Sequence, residues 1–157
     1  MQSPHTGNAH AFYRIRSPAW VNVVALTHRD ELVMVRQFRH GAHAVTLEIP
    51  GGMVDPGESP AEAAARELLE ETGYRAGRLA SLGSINPNPA IFTNRCHMQV
   101  ALDCEAVAEI QNSPTEETVV ELLPLAELPG TLRAGGIDHA LVVAALYAFE
   151  LWRSRSD

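Results

Sequence analysis

The chain is short of cysteine, of positive charge and of long apolar runs, and each shortage removes a class of protein. Two cysteines in 157 residues, Cys96 and Cys104, make neither a disulfide framework nor a zinc-ligand cluster. They read as small packing residues in a reducing compartment. No apolar run approaches the roughly 20 residues of a membrane span, so no membrane partner is expected. Met1 to His10 is polar and unlike a signal peptide, which makes the cytoplasm the expected location. Twelve basic residues stand against nineteen acidic ones, a formal net charge of −7. A nucleic-acid-coating protein normally shows a basic face, so no nucleic-acid partner is expected either. A polyphosphate substrate would need cations supplied locally, from arginines or bound metal.

What is present suits one domain over 1–157, with residues 1–12 a loose tail. Hydrophobic residues make up 46% and charged residues 20%, enough for a sizeable core. Trp20 to Thr27 reads as a buried strand, and Leu32 to Phe38 as its hairpin partner across a polar turn. Val45 to Ile49 is a short apolar run, and the Gly/Pro cluster Pro50 to Gly57 reads as a loop. Ser59 can cap a following helix, with Pro60 at its first position, Glu62 completing a capping box and Gly73 as the stop. Leu79 to Ile85, Arg95 to Leu102 and Thr118 to Leu123 read as strands, and Ile137 to Arg153 as a second helix. Strands mixed with two helices predict an α/β fold, a sheet packed between helices in an α/β/α sandwich.

The segment Gly52 to Tyr74 carries the chemistry. On a helical wheel, Ala61, Ala64, Ala65 and Leu68 form the apolar stripe that should face the core. Glu67, Glu70 and Glu71 share an arc of about 100° elsewhere on the wheel. Glu67 and Glu71 are four apart, a like-charge pair that costs a few tenths of a kcal/mol. All three lie in the last two turns, where the helix dipole disfavours negative charge. A helix that breaks local rules in this way is a candidate functional site. Bound Mg²⁺ or a similar hard divalent ion, which takes oxygen ligands, would compensate.

Gly52, Glu58, Arg66, Glu67, Leu68, Glu70, Glu71, Gly73 and Tyr74 stand at spacings that resemble the Nudix hydrolase signature, G-x5-E-x7-R-E-U-x-E-E-x-G-U with U apolar. All nine specified positions are filled, Tyr74 being a mildly polar choice for the last. The resemblance implies a mixed central sheet in an α/β/α sandwich with a loop–helix–loop catalytic motif. It implies hydrolysis of nucleoside diphosphates linked to a further group, using Mg²⁺ or Mn²⁺. By position, Glu67 and Glu71 would be the main metal ligands, with Glu70 a further ligand or the base that activates water. Arg66 would orient the glutamates, Glu58 would add a contact to the metal or its surroundings, and the Gly51 carbonyl would complete the shell. Gly52 would permit the tight loop.

Outside this box, Val35-Arg36-Gln37-Phe38-Arg39 and Leu47-Glu48-Ile49-Pro50-Gly51-Gly52 resemble the ADP-ribose and nucleotide-sugar branch of the family, which commonly carries a proline near the place of Pro89. In that branch a glutamate from a later loop often acts as base, making Glu116 the first candidate and Glu117 the second. Glu48 would bind metal or hold an arginine. Arg36 and Arg39 suit diphosphate binding, but strand residues three apart face opposite ways, and Arg39 is favoured. Phe38 and Phe92 are candidates for stacking on a base, although an isolated aromatic more often belongs to the core. His97 and His139 read as structural or surface residues. The expected substrate is ADP-ribose or a nucleoside diphosphate sugar, cut to NMP and a sugar phosphate. The alternatives are cleavage of (d)NTPs or dinucleoside polyphosphates and, last, an inactive nucleotide-binding module. Many ADP-ribose hydrolases of this branch have an N-terminal region that swaps between subunits. The stretch before Trp20 is short for that, while a homodimer through the Leu32 to Phe38 strand or the C-terminal helix stays open.

Overall fold

The computed structural model describes residues 1–112 and 117–154. Its centre is β1, Trp20–Thr27, a strand whose side chains are buried from Val21 onward on both faces. Such a strand must be covered on both sides. Helix α1, Pro60–Thr72, covers one face. Its Ala63, Ala64 and Leu68 pack with Val21, Val23, Ala25 and Val33. Helix α3, Ala140–Arg153, covers the other, packing Val142, Ala145, Leu146 and Phe149 with Val24, Leu26, Leu32 and Met34. The result is the expected α/β/α sandwich.

A turn with Asp30 at positive φ joins β1 to β2, Glu31–Arg39. Strand β2 pairs antiparallel with β3, Ala44–Glu48, on one side and β8, Thr118–Pro124, on the other. On its far side β1 pairs in parallel with β7, Cys96–Ala106, which also holds the short β5, Tyr74–Arg75, and β6, Arg78–Ile85. The sheet is therefore mixed. Between β1 and β2 the register is Leu26↔Leu32, beside the turn. The two strands part toward their other ends, where Trp20 and Arg39 stand. Strand β4, Gly51–Met53, pairs with β1 at that open end, Gly51 opposite Asn22 and Met53 opposite Trp20.

Helix α1 begins as expected. The Ser59 hydroxyl accepts from the Glu62 N–H and the Glu62 carboxylate from the Ser59 N–H, a reciprocal cap worth about 1 kcal/mol. Gly73 ends it at φ 73°, the left-handed conformation that glycine tolerates. The buried stripe differs from the expectation. It is Ala63, Ala64, Leu68 and Thr72, while Ala61 and Ala65 are exposed. The helix is rolled so that small residues meet β1 closely and the carboxylates turn toward β4. Four further elements depart from the sequence reading. Gly51–Met53 is a strand, not a loop. A 3-10 turn at Leu125–Glu127 and a short helix α2, Leu128–Arg133, precede α3. Helix α3 starts at Ala140, since Ile137 is buried ahead of it in irregular chain. The N-terminal segment is tied down by Ile15, which exchanges backbone hydrogen bonds with Ile91 and Thr93. No helix among the described residues is long and apolar enough to cross a membrane. Both cysteines are free and buried, and burial pushes each thiol up to about 11.

Candidate functional site

The glycine strand β4 and helix α1 meet at the open end of the sheet. The Gly51 N–H donates to Glu71 Oε2 at 2.9 Å. Gly51 stands opposite Asn22 but gives its N–H to Glu71 rather than to β1, so its carbonyl shares that outer edge. A side chain at position 52 would overlap the Glu67 carboxylate, and one at 51 would overlap the Val21 backbone carbonyl. The two glycines thus let the strand come within contact of the helix carboxylates on one side and of β1 on the other.

Arg66 organises the rest. Its Nε and Nη2 donate to the two oxygens of Glu58 at 3.0 Å each, and Nη2 also reaches the Met53 carbonyl at 3.0 Å. Its Nη1 donates to Glu67 at 2.9 Å and Glu70 at 3.1 Å. Hydrogen bonding to Glu58 raises the Arg66 pKa; burial opposes this, and Glu67 and Glu70 add to the rise. The same bond from Arg66 holds the Glu58 carboxyl below its ordinary value, against slight desolvation and with help from the Asp55 N–H. Glu58 and Glu67 are 16% and 13% exposed, whereas Glu70 is 44% exposed and is the open carboxylate of the group.

The last carbonyls of α1 are also held. The Gln111 N–H donates to the Glu70 carbonyl, the Val107 and Ala108 N–H groups to that of Gly73, and the Thr118 hydroxyl to that of Glu71 at 2.8 Å. Asn112 in turn accepts from the Thr118 N–H at 3.1 Å. These bonds pin both flanks of the 107–118 segment to the end of the helix. Glu117 is exposed next to Thr118. Glu116 lies outside the described residues.

A second cluster sits on β2 and β3. Arg39 donates through Nε and Nη2 to both oxygens of Glu48 at 2.8 Å each, and the Thr46 hydroxyl donates to Glu48 at 2.6 Å. Burial pushes the Glu48 carboxyl up, but these bonds outweigh it and hold the carboxyl low. Glu48 thus grips an arginine. Arg36 faces the other way and pairs with Glu121, both well exposed. Pro89 is exposed in the loop between β6 and β7. Phe38 is 43% exposed, edge-on to His40 and His43, and is not a core residue.

Sequence reasoning missed several parts. The Met53 carbonyl carries no side-chain signal. The Thr118–Asn112 clasp joins residues that only the fold brings to the helix end. A cleft of about 610 Å³ opens between the parted strands, lined among others by Trp20, Arg39, Thr46, Asp138 and His139. The spacing of these residues along the chain gives no hint that they meet.

Among the described residues no three His, Cys, Asp or Glu side chains converge as a preformed metal-ligand cluster. The donors nevertheless suit a hard divalent ion. Glu67, Glu70 and Glu71 offer oxygen only, and the outer edge of β4 brings the Gly51 carbonyl beside Glu71. Three glutamates, Glu58, Glu67 and Glu70, share the one guanidinium, with Glu71 beside them on Gly51.

An α/β/α sandwich in which one capped helix presents glutamates and an arginine to a glycine strand is the arrangement that the Nudix signature implies. The model of the NUDIX domain matches residues 17–146, and the chain belongs to that family. It is 32% identical over 105 residues to the ADP-ribose pyrophosphatase of Bacillus subtilis (strain 168), covering 67% of this chain and 57% of that protein. It is 31% identical over 123 residues to the ADP compounds hydrolase NudE of Escherichia coli (strain K12), covering 78% of this chain and 66% of that protein. The match thus spans less than two thirds of either relative. A solved structure of an ADP compounds hydrolase superposes with a TM-score of 0.80 at 30% identity, covering 88% of this chain and 74% of that one.

Proposed function

We propose that the chain is a divalent-metal-dependent pyrophosphohydrolase that cuts the diphosphate bridge of ADP-ribose or a nucleoside diphosphate sugar into NMP and a sugar phosphate. The observation that carries this reading is the Arg66-centred carboxylate group set against Gly51 and Gly52. Glu67 and Glu71, with Glu70 and the Gly51 carbonyl, would hold Mg²⁺ or Mn²⁺. A bound divalent ion would polarise phosphoryl oxygens, acidify a water and offset the charge of the diphosphate.

The protein's own groups do the positioning. Arg66 fixes the directions of Glu67 and Glu70, and Glu58 fixes Arg66. Arg39, clamped by Glu48, presents its remaining surface to the cleft and suits a phosphate oxygen. A carboxylate, Glu116, Glu117 or Glu70, takes the proton of the attacking water as its oxygen bonds to phosphorus and the P–O bridge breaks. Of these, Glu117 is supported by its neighbour Thr118, whose hydroxyl donates to the Glu71 carbonyl at the helix end. The names of the relatives, ADP-ribose pyrophosphatase and ADP compounds hydrolase, support the substrate class. The same reading places the enzyme in the cytoplasm with its nucleotide substrates. A homodimer through α3 is its expected assembly, supported by exposed Val143, Tyr147 and Leu151 at four-residue spacing.

Product chromatography tests the reading. ADP-ribose, GDP-mannose, UDP-glucose, GTP and a dinucleoside tetraphosphate are each incubated with Mg²⁺ and with EDTA. Metal-dependent release of NMP and a sugar phosphate is the expected result. Cleavage of the triphosphate alone, to NMP and pyrophosphate, would move the chain to another branch, and no turnover at all would sink the enzyme reading.

A further inference from the structure

The cleft at the open end of the sheet has no assigned occupant, and three of its residues, Trp20, Asp138 and His139, have no role in the chemistry above. We propose that this cleft is the subsite for the sugar arm of the substrate, and that Trp20, Asp138 and His139 set which sugar is taken. The proposal rests on the hydrolase reading.

Position is the first argument. Trp20 is the strand partner of Met53, and the same short strand carries Gly51 and Gly52, which touch Glu71 and Glu67. Arg39, also in the cleft wall, is fixed by Glu48, three residues before Gly51. A diphosphate seated at the carboxylates therefore has one arm directed into this cleft, on the side of β4 that faces the parted strands.

Size and chemistry are the second. At about 610 Å³ the cleft lies in the range of small-ligand sites. A sugar presents hydroxyls that both donate and accept, around apolar C–H faces. The cleft answers with a carboxylate acceptor from Asp138, an imidazole from His139 and a hydroxyl oxygen from Thr46. Trp20 supplies an aromatic platform whose orientation is fixed, because its N–H donates to Asn22 Oδ1 at 2.8 Å. A nucleobase is better matched by a flat slot with large aromatic walls on both sides, and Trp20 is the one indole lining this cleft.

Asp138 is exposed at the cleft mouth and can be altered without opening the core, while His139, half-buried at the start of α3, calls for a melting check beside its kinetics. The experiment compares two substrate series in wild type, Asp138→Ala, His139→Ala and Trp20→Phe. One series keeps adenosine and varies the sugar: ADP-ribose, ADP-glucose and ADP-mannose. The other keeps glucose and varies the base: ADP-, GDP- and UDP-glucose. Loss of one hydrogen bond to a sugar hydroxyl should lower kcat/KM for the preferred sugar about tenfold, mainly through KM, and flatten the ranking of sugars. The ranking of bases should stay as in wild type. Asp138→Asn, which keeps the shape, replaces the alanine variant if that variant melts early. Variants that reorder the bases and leave the sugars alone, or that move neither ranking, overturn the assignment while the hydrolase reading stands. Wild-type protein that cleaves no member of either series overturns the hydrolase reading, and the subsite falls with it.

Discussion

Replacing Arg39 with Met keeps the length of the side chain and removes the guanidinium, leaving Glu48 buried without its partner. The Glu48 side chain is 3% exposed and accepts two bonds from Arg39 and one from Thr46. Breaking a buried pair by removing one partner costs about 3–5 kcal/mol. Arg39 is 30% exposed, so water can enter its place, and the expectation is the lower end, about 3 kcal/mol. Each kcal/mol moves Tm by about 2–4 °C in a chain of this size, which gives a fall of about 6–12 °C near pH 7. The pH dependence has a definite sign. In the wild type the folded Glu48 pKa is depressed. Its contribution is present above the unfolded pKa and is lost as pH falls through the folded value. In the variant the burial that pushes the carboxyl up loses its main counterweight. Glu48 then takes a proton as pH falls, and the penalty shrinks. The Tm gap between the two proteins should narrow from about pH 7 to about pH 4. Adding Glu48→Gln should recover part of the loss, because no buried charge is left alone. Thermal melts by circular dichroism across that range decide it. A gap that widens in acid, or a double variant less stable than the single one, would refute the reasoning.

Two other perturbations separate positioning from folding. This chain has no lysine, and Arg66→Lys would put a point-like ammonium where one planar fork now serves Glu58, the Met53 carbonyl, Glu67 and Glu70. Turnover and Mn²⁺ affinity should fall about 10–100-fold with Tm little changed, and an unchanged titration of Mn²⁺ would count against the orienting role. Gly51→Ala and Gly52→Ala should fail in different ways. The first drives a methyl into the backbone of Val21 and should lower Tm; the second meets the Glu67 carboxylate, which can swing aside, and should weaken metal binding and turnover instead. Equal Tm losses for the two would contradict that division.

The parts of the fold legible in the sequence were those with a strong local signal. The capping box Ser59–Glu62, the left-handed Gly73 and the apolar strand from Trp20 announce themselves through short-range chemistry. Strand β4 does not, since two glycines and a methionine have no strand pattern and pair only because Asn22 and Trp20 of β1 lie alongside. Helix α2 hides behind Pro129 and Gly130, which read as breakers. The wheel placed the apolar stripe on the alanines nearest each other in projection. The fold chose Ala63 over Ala61 and Ala65 because the helix must roll to bring Glu67 to Gly52 and Glu71 to the Gly51 N–H. Of the site, the residues of the box stand together, while the grip of Arg39 on Glu48 and the cleft residues from α3 depend on pairings across the whole chain.

The helix end that looks unstable in the sequence is partly compensated within the protein. Glu67 and Glu71 are spaced to repel, yet they turn to different partners, Glu67 to Arg66 and Glu71 to the backbone of Gly51. The dipole that disfavours acids there is offset by donors from Gln111 and Thr118 to the last carbonyls. One guanidinium, Arg66, is shared among Glu58, Glu67 and Glu70, in a protein whose formal net charge is −7. The fold therefore secures the geometry of the carboxylates without neutralising them. That division is what the proposed function asks of the site: hydrogen bonds fix the carboxylates, and a divalent ion, were one bound, would offset their charge and that of a diphosphate.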